Sequence, residues 1–139
     1  MKTPVLESER LILRPLKTDD AETVFNNWSS NPVTTRYMQW NTHSTISETE
    51  EWLKTEEIAA CGDDNYTWGR GITSEAVQKI IAFAGSELEL QKMFGKHAKD
   101  NPASGRIMEK HGFSYQKAGK YTRFNGNEEF ESREYILYL

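Results

Sequence analysis

Tyr66-Thr67-Trp68 begins as a strand, is cut short by Gly69-Arg70-Gly71, and gives way at once to a helix. This junction constrains the chain more than any other feature. Two glycines one residue apart let the backbone turn tightly and come close to a ligand or another segment without Cβ clashes. Ile72, Ala76, Val77, Ile80, Ile81, Ala84 and Leu88 then keep helical spacing, which predicts a helix with one buried face. Its first turn presents unpaired backbone N–H groups and the positive end of the helix dipole. A plain turn satisfies this pattern, and so does a phosphate cradle.

Elsewhere helices and strands alternate. Arg10–Leu16 reads as a strand, with Leu11, Leu13 and Pro15 toward one face. A helix over Thr18–Ser29 follows, with Thr18 as its cap, Asp19 and Asp20 at its positive end, and Ala21, Val24, Phe25 and Trp28 as its stripe. Ser47 and Glu50 have capping-box spacing and open a second helix, whose acids form a solvated face. Met93–Ala98 reads as a strand. Asn101-Pro102 opens a helix that Gly112 ends, with Ala103, Ile107, Met108 and His111 on one face. Phe113–Gln116 and Glu134–Leu139 read as closing strands joined by a polar turn at Asn125–Glu128.

Composition narrows the class. The 139 residues are 37% hydrophobic and include Trp28, Trp40, Trp52 and Trp68, which suits one domain with one core. No apolar run approaches the roughly 20 residues of a membrane span, and Met1–Val5 lacks the apolar stretch of a secretory leader, so a cytoplasmic location is expected. Cys61 is the only cysteine, which fits a reducing compartment and excludes an internal disulfide. His43, His97, His111 and Cys61 lack metal-ligand spacing, so no metal site is expected. A net charge of -4 argues against nucleic acid as a partner. Residues 1–69 hold 6 basic against 12 acidic residues, whereas 70–139 hold 11 against 9, so an anionic ligand is favoured by the second half.

A second segment adds weight to the cradle. Asp100-Asn101-Pro102-Ala103-Ser104 through His111-Gly112-Phe113 resembles a pattern of the GNAT (Gcn5-related) N-acetyltransferase superfamily: Asn, Ser three residues on, a short helix and Gly-Phe. The order of cradle, long helix, strand, Asn-x-x-Ser helix and closing strands is similar as well. Ser8-Glu9-Arg10-Leu11-Ile12-Leu13-Arg14-Pro15-Leu16 resembles the opening strand of the branch that includes ribosomal-protein N-terminal acetyltransferases. The resemblance implies an α+β fold, a three-layer mixed sheet flanked by helices. It implies acetyl transfer from acetyl-CoA to a primary amine, either a protein N-terminus or a small amine. Backbone amides of Gly69, Arg70, Gly71, Ile72 and Thr73 would hold the coenzyme A pyrophosphate, and Asn101 would contact the pantetheine arm or nearby phosphates. Ser104 would lie near the cofactor as a candidate proton donor to the leaving thiolate. Read without the resemblance, Asn101 is a helix cap and Ser104 a polar residue of the first turn.

The chain departs from that family at Trp68-Gly69. There the family continues through three strands, which with their loops come to roughly 30 residues. The sequence therefore reads as a single domain over 1–139, truncated internally near 68–70. Its sheet would lose central strands and one wall of the acetyl-pantetheine channel, and its exposed strand edges imply self-association, possibly by strand exchange. Two alternatives stand beside a working enzyme: a degenerate member that binds coenzyme A without catalysis, and a binding module whose acidic helices hold a basic partner.

Overall fold

A computed structural model describes residues 2–62, 66 and 74–139. The chain divides into two compact units, Met1–Gly71 and Ile72–Leu139. No described helix is long and apolar enough to cross a membrane.

In the first unit, β1 (Leu6–Glu7) and β2 (Ile12–Leu13) form an antiparallel hairpin pairing Leu6 with Leu13. The strand expected over Arg10–Leu16 is thus much shorter, because among the described residues β2 has no neighbour other than β1 to carry a longer ladder. A helical stretch follows in three geometries: a 3-10 turn at Thr18–Asp20, an α-helix (α1, Ala21–Val24) and a π turn at Phe25–Ser29. Thr18 is not the cap. Lys17 N donates to the Asp20 carboxylate (2.8 Å), which also takes both Arg14 guanidinium nitrogens, and Thr18 gives its N–H and hydroxyl to Glu57. The Arg14 bonds, more than the partial burial that opposes them, hold the Asp20 carboxyl below its usual range.

Helix α2 spans Ile46–Ala60, and its N-cap, Thr45, lies two residues before the expected one. Thr45 Oγ1 accepts from Glu48 N (3.3 Å), and the Glu48 carboxylate accepts from Ser44 N (2.6 Å). Leu53 is fully buried, worth about 2 kcal/mol of apolar transfer. The acidic face is only partly solvated: Glu57 serves Thr18, and burial raises the Glu56 carboxyl. Around this helix Trp28, Trp40 and Trp52 meet pairwise at 5.3–6.1 Å. A buried polar chain lies alongside, in which Thr49 Oγ1 meets both Ser29 Oγ (2.8 Å) and His43 Nδ1 (2.7 Å). Burial lowers the His43 pKa, so this network holds a neutral imidazole.

The second unit carries α3 (Ser74–Ser86), β3 (Lys92–Ala98), α4 (Pro102–Lys110), β4 (Ser114–Thr122) and β5 (Glu129–Tyr138). The strands form one antiparallel sheet in the order β3-β5-β4, with His97 opposite Arg133 and Tyr115 opposite Tyr135. A bulge at Gln116 shifts the β4 register, so that Lys117 pairs with Glu134. Helix α4 packs on β3 and β4. Its end is as expected: Gly112 adopts φ +91°, its N–H reaches Glu109 O (3.1 Å) and Phe113 N–H reaches Met108 O (3.0 Å). These two bonds satisfy the last turn and drive Phe113 into the core.

The start of a strand expected at Tyr66-Thr67-Trp68 lies largely outside the described residues, and Tyr66 itself is in no strand. Among the described residues no strand separates α2 from α3, and β3 has a ladder partner, β5, on one side only.

Candidate cofactor site

Helix α4 begins where β3 ends, through a turn closed by Asn101 N donating to Ala98 O (2.9 Å). Pro102 takes the first helical position, where its missing N–H costs nothing. Asn101 holds the N-cap position, but its side chain makes no cap bond. Its amide Nδ2 donates instead to Ser104 Oγ (3.2 Å). This corrects the expectation that Asn101 is the side-chain cap. The correction has a chemical consequence. The first-turn N–H groups of α4 are left without a side-chain acceptor from the cap, and Ser104 Oγ accepts a hydrogen bond while keeping its own proton free to donate. Both residues are half-buried.

Donors at a helix start, beside a strand that among the described residues is paired on one side only, suit an extended ligand that carries carbonyl oxygens and an anionic end. Asn101 and Ser104 are thus brought together by the fold. Gly69, Arg70, Gly71, Ile72 and Thr73 lie outside the described residues. Immediately after them the described part of α3 begins with Ser74, whose Oγ meets His111 Nε2 at 2.7 Å.

The wall under α4 is polar, aromatic and tightly packed. His97 Nδ1 donates to Ala98 O (2.6 Å), and its Nε2 meets the Tyr135 hydroxyl (3.3 Å). Their rings lie 5.4 Å apart. Burial, and then the Glu109 carboxylate, push the Tyr135 phenol above its usual value, so it stays protonated. Gly105 permits this arrangement, since a Cβ there would stand 2.6 Å from His97 Nε2 and 3.0 Å from Tyr135 Oη. Beside the wall a cleft of about 510 Å³ opens between Arg106 and Glu109 of α4 and Tyr115 and Arg133 of the sheet. Arg133 donates to the Tyr115 hydroxyl (3.2 Å) and lies over its ring. Sequence reasoning singled out none of Gly105, Tyr135 or His97 for this wall. The one available signal was a glycine inside a helical pattern, which marks close approach.

Comparison with known proteins follows the same lines. Residues 10–66 and 57–114 match the acetyltransferase (GNAT) domain family in two overlapping segments. An uncharacterized N-acetyltransferase of Bacillus subtilis, YoaA, is 24% identical over an alignment covering 96% of each chain. A second, p20 of Bacillus licheniformis, is 26% identical, with 82% of this chain and 83% of the relative covered. Among solved structures, the ribosomal L7/L12 alpha-N-protein acetyltransferase RimL in complex with coenzyme A shares the fold, with a TM-score of 0.76 at 14% identity and 98% of both chains covered. The YoaA alignment runs over 170 positions against the 139 residues of this chain, so at least 31 of them are gaps on this side.

Proposed function

This chain belongs to the GNAT acetyltransferase family, and from that premise we propose that it is an N-acetyltransferase fold that has kept its coenzyme A contacts and lost central strands of its sheet. The observation that carries the reading is the start of α4, where Asn101 turns away from capping and toward Ser104 beside an open strand edge. Acetyl-CoA supplies an activated acyl group, and a primary amine accepts it. Gly69–Thr73 offer backbone N–H groups to the pyrophosphate at the head of α3. Asn101 and the first turn of α4 orient the pantetheine arm. Ser104 holds a proton at Oγ for the departing sulfur. Backbone donors facing the acyl oxygen are needed to stabilise the charge that develops there.

Two features support the internal loss. The family match falls into two segments that overlap over 57–66, and the gap positions against YoaA, at least 31 in all, are comparable in number to the roughly 30 residues of three strands and their loops. The chain is accordingly one truncated domain over 1–139. The amine is a protein N-terminus or a small amine; RimL acts on a ribosomal protein N-terminus. A cytoplasmic location accords with that acceptor class.

Calorimetric titration of coenzyme A into wild type and Gly71→Val tests the cradle. Val adds a branched side chain to the Gly-x-Gly segment and restricts its backbone, so affinity is expected to fall at least about tenfold. Equal affinity in the two proteins would sink the assignment.

The chain is also expected to self-associate through its sheet edge. Phe94, 63% exposed, lies on β3, whose side away from β5 has no ladder partner among the described residues. Light scattering should give a mass that rises with concentration, and a monomer throughout would contradict the expectation.

A further inference from the structure

We propose that the cleft between α4 and the face of β4 and β5 is a binding site for a small monocarboxylate; the inference does not rest on the coenzyme reading above. Every residue that lines the cleft belongs to the second unit, and the strand register shapes it. The bulge at Gln116 leaves Tyr115 opposite Tyr135 but brings Ala118 opposite Arg133. The single methyl group of Ala118 cannot cover Arg133, and the guanidinium leans toward Tyr115 instead. It is held there in two ways. One nitrogen donates to Tyr115 Oη at 3.2 Å, and the central carbon stands 5.7 Å over the ring centre. The ring of Tyr115 is braced edge-on by the buried ring of Tyr135 at 5.8 Å. The Arg133 fork is therefore preset. The bond to a phenol uses a small part of its donors, and no carboxylate pairs with it among the described residues.

Arg106 brings a second guanidinium to the same cleft from α4, and it too has no ion-pair partner among the described residues. Lys99, at the rim, is already matched by Glu131 at 3.2 Å. The acid that lines the cleft is Glu109. Two guanidinium groups thus face one carboxylate, a balance of one positive charge. That balance selects the ligand. One further carboxylate completes it, and the planar fork of an arginine matches both carboxylate oxygens. A phosphate monoester carries close to two negative charges at neutral pH and would add repulsion against Glu109. The cleft, about 510 Å³, is larger than a carboxylate alone requires, and Tyr115 and Tyr135 give it an aromatic side for a planar body.

The test is an NMR titration of the full chain with sodium benzoate, read on the arginine side-chain N–H and tyrosine ring signals. Benzamide and phenyl phosphate are titrated beside it. Benzoate is expected to bind saturably, and benzamide, the same shape without the charge, at least about tenfold more weakly. Phenyl phosphate should bind no more tightly than benzoate. Arg133→Gln and Arg106→Gln should each weaken benzoate at least about tenfold, the scale of a lost charge-assisted hydrogen bond. Lys110→Gln removes an α4 cation that does not line the cleft, and should change the affinity less than about twofold. Arg133→Lys keeps the charge but loses the fork, so a loss of about threefold is expected; it also serves if the glutamine variant folds poorly. Saturating coenzyme A should leave benzoate binding unchanged. No saturable binding in the wild type, equal binding of benzamide, tighter binding of phenyl phosphate, or an equal loss in Lys110→Gln would overturn the proposal. Displacement of benzoate by coenzyme A would make the cleft part of the coenzyme's own site and overturn an independent carboxylate site. Absence of coenzyme A binding would overturn the coenzyme reading and leave this one standing.

Discussion

Inserting the missing segment of a close relative between Trp68 and Gly69 is expected to raise the rate of coenzyme A release at least about 100-fold over the 139-residue chain. The number follows from geometry. Misplacing a reacting group by about 1 Å costs roughly 100-fold, and on the proposed internal loss one side of the acyl channel would be absent. Among the described residues β3 has no ladder partner on the side away from β5, and no strand intervenes between α2 and α3. On that proposal, what remains is the end of the site remote from the reacting carbon: the contacts assigned to residues 69–73 and the start of α4. Contacts that hold substrate and transition state equally lower KM without raising kcat. The two chains should therefore differ in kcat more than in coenzyme A affinity. The assay is thiol release with a panel of amines and N-terminal peptides, each chain supplied with acetyl-CoA. Equal turnover would mean that the donors facing the acyl oxygen and the base near the amine lie within the residues already present, with Tyr135 and His97 as the first side chains to examine.

Local chemistry decided what could be read ahead of the structure. Helix α4 was legible at both ends, because Asn101-Pro102 and Gly112 act through backbone geometry that neighbouring residues set by themselves. The start of α2 was misplaced because Thr45-Glu48 and Ser47-Glu50 are equally good boxes on paper. The fold chooses the first, and it sets Thr49 against Ser29, 20 residues away in sequence. Strands β4 and β5 run far beyond the segments read for them. Nearly every residue of β4 is exposed, so no apolar alternation marks it, and it exists through its ladder with β5. Within the site, Asn101 and Ser104 were found by motif, but the bond between them was not foreseen, because an Asn before a helix ordinarily caps it. The wall of His97, Tyr135 and Gly105 joins three elements, and no spacing along one segment encodes it.

The same substitution at two helical glycines should have opposite signs, and the larger effect falls beside the site. Gly85, near the end of α3, would gain a Cβ with nothing within 4 Å. Alanine there removes backbone freedom from the unfolded chain, so Gly85→Ala should stabilise by about 0.5 kcal/mol. Gly105, in α4, would gain the same helix propensity, but its Cβ would lie 2.6 Å from His97 Nε2 and 3.0 Å from Tyr135 Oη. Neither side chain can give way at low cost. His97 is 8% exposed and fixed through Nδ1 to Ala98 O, and Tyr135 is 6% exposed with its ring against those of His97 and Tyr115. Helix α4 must then lift off the sheet, losing contacts with β3 and β4 along its buried face. Overpacking of this kind costs about 1–3 kcal/mol, more than the roughly 1 kcal/mol propensity gain. Gly105→Ala should therefore destabilise by up to about 2 kcal/mol, and Gly105→Val, which adds β-branching and two more methyl groups, by more than Gly105→Ala. Urea unfolding followed by tyrosine and tryptophan fluorescence gives the midpoints, with an unchanged slope required before the shift is read as stability. A Gly105→Ala midpoint at or above wild type would show that α4 can shift without cost, and the close approach of this helix to His97 would then not be what Gly105 provides.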